Sequence, residues 1–174
     1  MRPESEKRLM KVQRTSKVLR LICKVLLVLF ICVIPILTGT IVAGWGTLYL
    51  HHGSIKLASL ALSSRLVFAV IVALEMAVKF KGIYHLYRLF GNYATGNIFT
   101  TESAGQIRQL GVTVLLLVGV NILFEVAAVA FALYPRNHMI GFSLNSLVTG
   151  FVIIVISWFM QMGAEMREES ELTI

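Results

Sequence analysis

The chain has 174 residues, of which 57% are hydrophobic and only 14% are charged, and its formal net charge is +7. A water-soluble domain needs about a quarter of its residues charged, so the composition excludes one and indicates that lipid surrounds most of the chain. The apolar stretches are close to the roughly 20 residues that one helical crossing requires, which leaves no room for a separate soluble domain.

A basic segment, residues 1–20, opens the chain, and the first crossing is predicted at about residues 21–50. Pro35 lies inside this stretch and predicts a kink or a tilt, while Gly39, Gly44 and other small residues predict a surface for close helix packing. A cleavable signal peptide is the alternative interpretation. The apolar run is too long for one, and no convincing cleavage site follows it.

Three further apolar stretches follow, and an acidic segment, residues 167–174, ends the chain. These stretches predict helices at about residues 66–90, 110–134 and 142–166. The expected fold is therefore all-α, an integral membrane bundle of four transmembrane helices within residues 21–166.

The distribution of the 16 Lys and Arg residues predicts the orientation of this bundle. All but Lys56, Arg65 and Arg136 lie in the amino-terminal segment, in the connection between the second and third helices, in the tail, or near the helix ends that adjoin the first two of these. Because positively charged segments resist translocation, we expect both termini and that connection to be cytoplasmic.

Two glutamates lie where lipid is expected, Glu75 in the second helix and Glu125 in the third, at similar depth. Asn121 lies one turn from Glu125 on the same face. An ionisable group inside a membrane has a high free energy unless it serves a function or is paired, so these residues are a candidate polar site for proton sensing or cation coordination. The alternative is that they hydrogen-bond between helices as packing contacts, or that Glu75 pairs with Lys79.

Other chemistries find little support in the sequence. His51, His52 and His138 fall in the two predicted outer loops, but their spacing fixes no metal geometry, so solvated loop histidines are the favoured interpretation. Aspartate is absent and no nucleotide-binding, hydrolase or zinc-peptidase pattern occurs, so we expect neither an enzyme nor a cofactor. The basic residues adjoin membrane helices, which argues against direct nucleic-acid binding.

Two predicted cytoplasmic segments resemble a known family. The runs Leu89–Phe90, Gly96–Thr100 and Ile107–Gly111 are similar to the central signature of the bacterial family called domain of unknown function 2975. The acidic ending of residues 168–174 resembles that of many members. Within these segments the candidate partner-binding residues are Gly96, Phe99, Thr100, Glu168, Glu169, Glu171, Leu172, Thr173 and Ile174. Ser103 and Gln106 additionally predict a capping box before the third crossing.

The resemblance implies a small four-helix protein of the bacterial inner membrane, whose relatives are often encoded beside a short helix-turn-helix regulator. It therefore favours a sensor or interaction protein that controls such a transcription regulator through its cytoplasmic segments. The alternative is a small transporter or channel, working as a homo-oligomer, with Glu75, Asn121 and Glu125 along a polar path. Only the first helix contains an internal proline, which argues against the broken-helix pairs of carriers.

Overall fold

The computed structural model describes residues 3–50, 53–131 and 144–172. Four long helices make up most of this structure, and a small hairpin connects the first two. The elements are α1 (Pro3–Ala43), β1 (Thr47–Leu50), β2 (Gly53–Lys56), a 3-10 turn (Leu57–Ser59), α2 (Leu62–Ala94), α3 (Thr101–Ala130) and α4 (Leu144–Leu172). The predicted all-α class is confirmed, with the antiparallel hairpin as an addition.

Three helices contain stretches that are long and apolar enough to cross a membrane, which are Leu9–Ala43, Thr101–Ala130 and Leu144–Met166. The chain therefore has the helices of a multi-pass membrane protein. In the described part of the chain α2 is not among them, although at 33 residues it is long enough. Its charged residues are closely spaced: Arg65, Glu75, Lys79, Lys81 and Arg88. The fourth crossing stays a prediction.

The helices lie in a row rather than in a closed bundle. α1 packs against α2, α2 against α3 and α3 against α4, whereas α1 and α4 share no extensive contact over the described residues. Only 6% of the most apolar window of α1 is buried. Both edge helices therefore present long apolar surfaces to their surroundings, as helices in lipid do.

Both charged ends of the chain extend the neighbouring helices. α1 begins at Pro3, so most of the basic segment is the first part of this helix, and α4 continues to Leu172 through most of the acidic tail. Glu, Lys, Arg, Met and Leu are all good helix formers, which explains why the charge boundary is not a helix boundary.

The first helix ends earlier than predicted, at Ala43 instead of about Leu50. Gly44 has φ +77° and its N–H donates to the Ile41 carbonyl, while the Trp45 N–H donates to the Thr40 carbonyl at 2.9 Å. This pair of bonds is a Schellman motif, which requires a left-handed residue that glycine supplies at little cost. Gly44 therefore ends the helix. The predicted close-packing surface does not include Gly39, which is exposed and where an added Cβ would have no neighbour within 4 Å.

The largest buried side chain lies between α2 and α3, at the end of the helices next to the hairpin. Phe68 is fully buried, with its ring centroid 5.4 Å from that of Phe124 and 5.9 Å from that of Phe131. Leu57 and Leu60, which follow the hairpin, belong to the same cluster. The aromatic contacts thus fix one end of the α2–α3 pair and leave the opposite end to polar contacts.

Candidate functional site

The carboxylate of Glu75 has a cationic partner on its own helix. Lys79, one turn later, donates from Nζ to Glu75 Oε1 at 2.5 Å, and both side chains are partly buried. The spacing is the i, i+4 arrangement that favours such pairs. A paired carboxylate costs less free energy in a membrane than an isolated one, and the geometry of Glu75 is that of the alternative in which it pairs with Lys79.

The other two residues of the predicted intramembrane site lie on α3. Asn121 is exposed and Glu125 is half-buried. The cleft of about 400 Å³ between α2 and α3 is lined by apolar side chains, among them Leu74, Val112 and Leu123. This cleft therefore offers no row of polar groups for a solute.

The loop between α2 and α3 is fixed at its first end by Gly96. The Gly96 N–H donates to the Tyr93 carbonyl and the Asn97 N–H to the Asn92 carbonyl, with φ of +89° at Gly96. This is a second Schellman motif, and it assigns Gly96 a structural role in ending α2. Burial at this end of α2 raises the pKa of Tyr93, so its hydroxyl stays neutral.

The second end of the loop is fixed by Thr100, which is the N-cap of α3. Its Oγ1 accepts from the Ser103 N–H at 3.2 Å, and the Ser103 hydroxyl donates to the Asn97 carbonyl at 3.1 Å. The predicted helix before the third crossing is confirmed, since α3 begins at Thr101. The predicted capping box at Ser103 and Gln106 is wrong, because the cap lies one turn earlier.

Between these two caps the loop exposes one large apolar side chain. Phe99 is 55% exposed, while its neighbours Ile98 and Thr100 are partly buried. The α4 backbone remains helical through Glu168, Glu169, Glu171 and Leu172. Thr173 and Ile174 lie outside the described residues, as do His51, His52 and His138.

Two side-chain pairs join the ends of α2 and α3. His85 Nδ1 lies 2.7 Å from Gln106 Oε1, and Arg88 Nη2 donates to Glu102 Oε1 at 2.8 Å. Because a carboxamide oxygen only accepts, Nδ1 donates in this bond. His85 Nε2 is buried and has no hydrogen-bond partner among the described residues.

A polar cleft of about 420 Å³ lies beside these pairs, between α1, the end of α2 and the start of α3. Arg20 of α1 donates from Nη2 to the Tyr87 hydroxyl at 3.2 Å, and its guanidinium carbon lies 4.9 Å from the Tyr87 ring centroid. The lining residues of this cleft, called the arginine cleft below, are Arg20, Tyr84, Tyr87, Arg88, Gly91, Asn92, Thr95 and Glu102.

The loop and the residues of α2 and α3 that surround it fall inside a match to a known family. The family model described as protein of unknown function (DUF2975) matches residues 58–174, which include α2, α3 and α4. The chain belongs to the DUF2975 family. The expectation from the loop and tail sequences is thereby confirmed. Neither the comparison with curated proteins nor that with solved structures gives a match.

The DUF2975 match does not extend to α1, which supplies Arg20 to the arginine cleft. The sequence pattern indicated a role of Arg20 in orientation only, and it did not predict the contact with Tyr87. His85 and Gln106 were also missed, since nothing in the chain signals a bond between residues so far apart. The sequence indicated a polar site here only by the clustering of polar residues around one loop.

Proposed function

We propose that this DUF2975 protein is a membrane-embedded control protein that binds a cytoplasmic helix-turn-helix transcription regulator. The observation that carries the proposal is Phe99, exposed on a loop that is fixed at both ends by helix caps. An exposed aromatic side chain on a rigid loop suits protein recognition, because little conformational freedom is lost on binding. This role requires no catalytic step.

The acidic end of α4 is the second element of the proposed contact. Glu168, Glu169 and Glu171 lie on a helical backbone, so this end of α4 is an acidic helical segment. DNA-binding regulators carry basic surfaces, which an acidic helix end attracts and can compete for. Capture at the membrane would then withdraw the regulator from DNA.

The topology that goes with this role has α2 as the fourth crossing and both termini in the cytoplasm. The ion pair of Glu75 with Lys79 supports the crossing, because it neutralises two of the charges on α2. The Lys and Arg distribution supports the orientation, as described above. In this arrangement Phe99 and the acidic end of α4 lie on the side where a bacterial regulator is found.

The experiment that tests the proposal is an affinity pull-down from native membranes with the full chain. We expect the chain to retain a DNA-binding protein, and Phe99→Ala to weaken that binding about thirtyfold, the loss caused by removal of one interface hot spot of about 2 kcal/mol. A second variant that lacks residues 168–174 should reduce it further. Trp45→Ala is the matched control, since Trp45 is 75% exposed near the hairpin at the opposite end of the helices.

The proposal fails if no DNA-binding protein is retained, or if Phe99→Ala and Trp45→Ala lower retention equally. Membrane levels of all variants are measured in parallel, so that loss of the partner is separated from loss of the protein.

A further inference from the structure

We infer that the arginine cleft binds the phosphate of an anionic phospholipid head group. The cleft has an excess positive charge, a residue with an unpaired donor and a position at the ends of the apolar helix segments. It is independent of the proposed regulator, whose contact was placed at Phe99 and the acidic end of α4.

The cleft has one guanidinium without a negative partner. Arg88 is paired with Glu102 at 2.8 Å, which cancels the one carboxylate among the lining residues. Arg20 contacts Tyr87 through its hydroxyl and its ring, but has no carboxylate partner among the described side chains. The cleft therefore keeps one positive charge, carried by a planar group that binds phosphate oxygens through two parallel N–H donors.

A side-chain amide that lines the cleft has an unpaired donor. Asn92 lines the cleft, and its Nδ2 is buried without a hydrogen-bond partner among the described residues. A buried amide donor left unpaired costs about 1–3 kcal/mol. An acceptor oxygen in the cleft would neutralise Arg20, and it would supply the missing partner for Asn92 once a rotation of that side chain brings Nδ2 to the cleft.

Gly91 provides the space for such a ligand. A Cβ at this position would lie 3.5 Å from Cζ and Nε of Arg20, so a longer side chain would fill the volume beside the guanidinium. The cleft volume of about 420 Å³ is in the range of small-ligand sites, about 300–1,000 Å³.

The position of the cleft selects a lipid as the source of the phosphate. Arg20 directly precedes the long apolar run of α1, Asn92 follows the apolar part of α2, and Glu102 lies in the first turn of α3. The cleft thus lies where the apolar parts of three helices begin or end, which is the level of the lipid head groups. Tyr84 and Tyr87 are typical of this level.

The test uses the full chain purified in neutral detergent, with added phosphatidylglycerol or phosphatidylcholine. We expect phosphatidylglycerol to raise the unfolding temperature by about 2–4 °C relative to phosphatidylcholine. Native mass spectrometry should show that phosphatidylglycerol stays bound. Arg20→Gln should abolish this temperature difference and weaken retention about fivefold, the contribution of one Arg charge near a lipid surface.

The matched control is Lys17→Gln, which removes the same charge from the same helix about one turn before Arg20, at an exposed position. It should keep the temperature difference. Asn92→Leu is a second variant that retains the side-chain volume and removes the unpaired amide. Without lipid its unfolding temperature should equal or exceed that of the wild type, whereas its response to phosphatidylglycerol should fall.

Two further ligands distinguish the source of the anion. Inorganic phosphate is the first. If it raises the unfolding temperature and Arg20→Gln removes this rise, the phosphate site is supported, and it takes phosphate from solution as well as from lipid. The second is an acidic peptide of residues 166–174. If this peptide stabilises the protein and phosphatidylglycerol does not, the inference is overturned, and the ligand of the cleft is a protein carboxylate. The inference is also overturned if Arg20→Gln and Lys17→Gln lose the stabilisation by phosphatidylglycerol equally, because the lipid is then attracted by general positive charge and not bound at a specific site.

Discussion

Gly111 of α3 and Gly150 of α4 lie against each other where the two helices pack. A Cβ on Gly111 would lie 2.9 Å from the Gly150 carbonyl oxygen, and a Cβ on Gly150 would lie 3.2 Å from the Gly111 carbonyl oxygen. Backbones this close exclude any side chain from the contact, as in other membrane helix pairs built on small residues.

Gly111→Ala is therefore expected to separate α3 from α4 and to destabilise the protein by about 1–3 kcal/mol, the usual cost of overpacking. Reversible unfolding of the purified protein in mixed detergent micelles measures the change. Gly119→Ala on α3 and Gly163→Ala on α4 are the controls, since no atom lies within 4 Å of a Cβ at either position. An equal effect of Gly111→Ala and Gly119→Ala would contradict the close contact.

Gly44→Ala is expected to disturb the end of α1. Its φ of +77° disfavours a Cβ, which would also lie 2.5 Å from Arg65 Nη1. Arg65 is held there by bonds from Nε to the Leu60 carbonyl and from Nη2 to the Ala58 carbonyl. We expect a loss of about 1–2 kcal/mol from the backbone conformation alone. Thermal unfolding measures this, with Gly39→Ala on the same helix as a control that should not destabilise the protein, because Ala is the better helix former.

Thr100→Ala is expected to destabilise the start of α3 by about 1 kcal/mol, because it removes the acceptor for the Ser103 N–H. Thr100→Ser retains that acceptor and should restore most of the loss. Hydrogen exchange of the first turn of α3 gives the local readout. Equal protection in both variants would show that the cap does not hold the loop.

The Glu75–Lys79 pair predicts a non-additive result for membrane insertion. Glu75→Leu or Lys79→Leu alone leaves one charge unpaired and should lower the membrane level. The double variant should recover it, because removing one partner of a poorly solvated pair costs more than replacing both. A double-mutant cycle on insertion efficiency measures the coupling, expected at about 1–3 kcal/mol. Additive losses would show that the two charges act separately.

The sequence predicts the long apolar helices well, because they depend on the composition of long stretches of the chain. α3 and α4 were expected because each apolar run is long enough to cross a bilayer, and residues 101–130 and 144–166 are indeed helical and apolar. The helical pairing of Glu75 with Lys79 also follows from spacing alone, since residues one turn apart on a helix are neighbours.

Tertiary contacts and chain reversals were less accessible to sequence analysis. Gly44 and Gly111 are both glycines in apolar surroundings, yet one ends a helix and the other packs against a neighbour. A hydropathy pattern does not distinguish the two roles, because they differ in the backbone angle φ and in which residues of other helices lie in contact with the glycine. The contact of Arg20 with Tyr87 was missed for the same reason, since it joins two helices whose rotation the sequence does not define.

The row of four helices has a consequence for how the protein is made. Over the described residues, extensive packing occurs only between helices that are neighbours in the chain. Each new helix that leaves the ribosome therefore meets a partner that is already in place, and only the α3–α4 contact has to wait for the last helix. The protein can be assembled in the order of its translation, and an interruption after any helix leaves the earlier pairs complete.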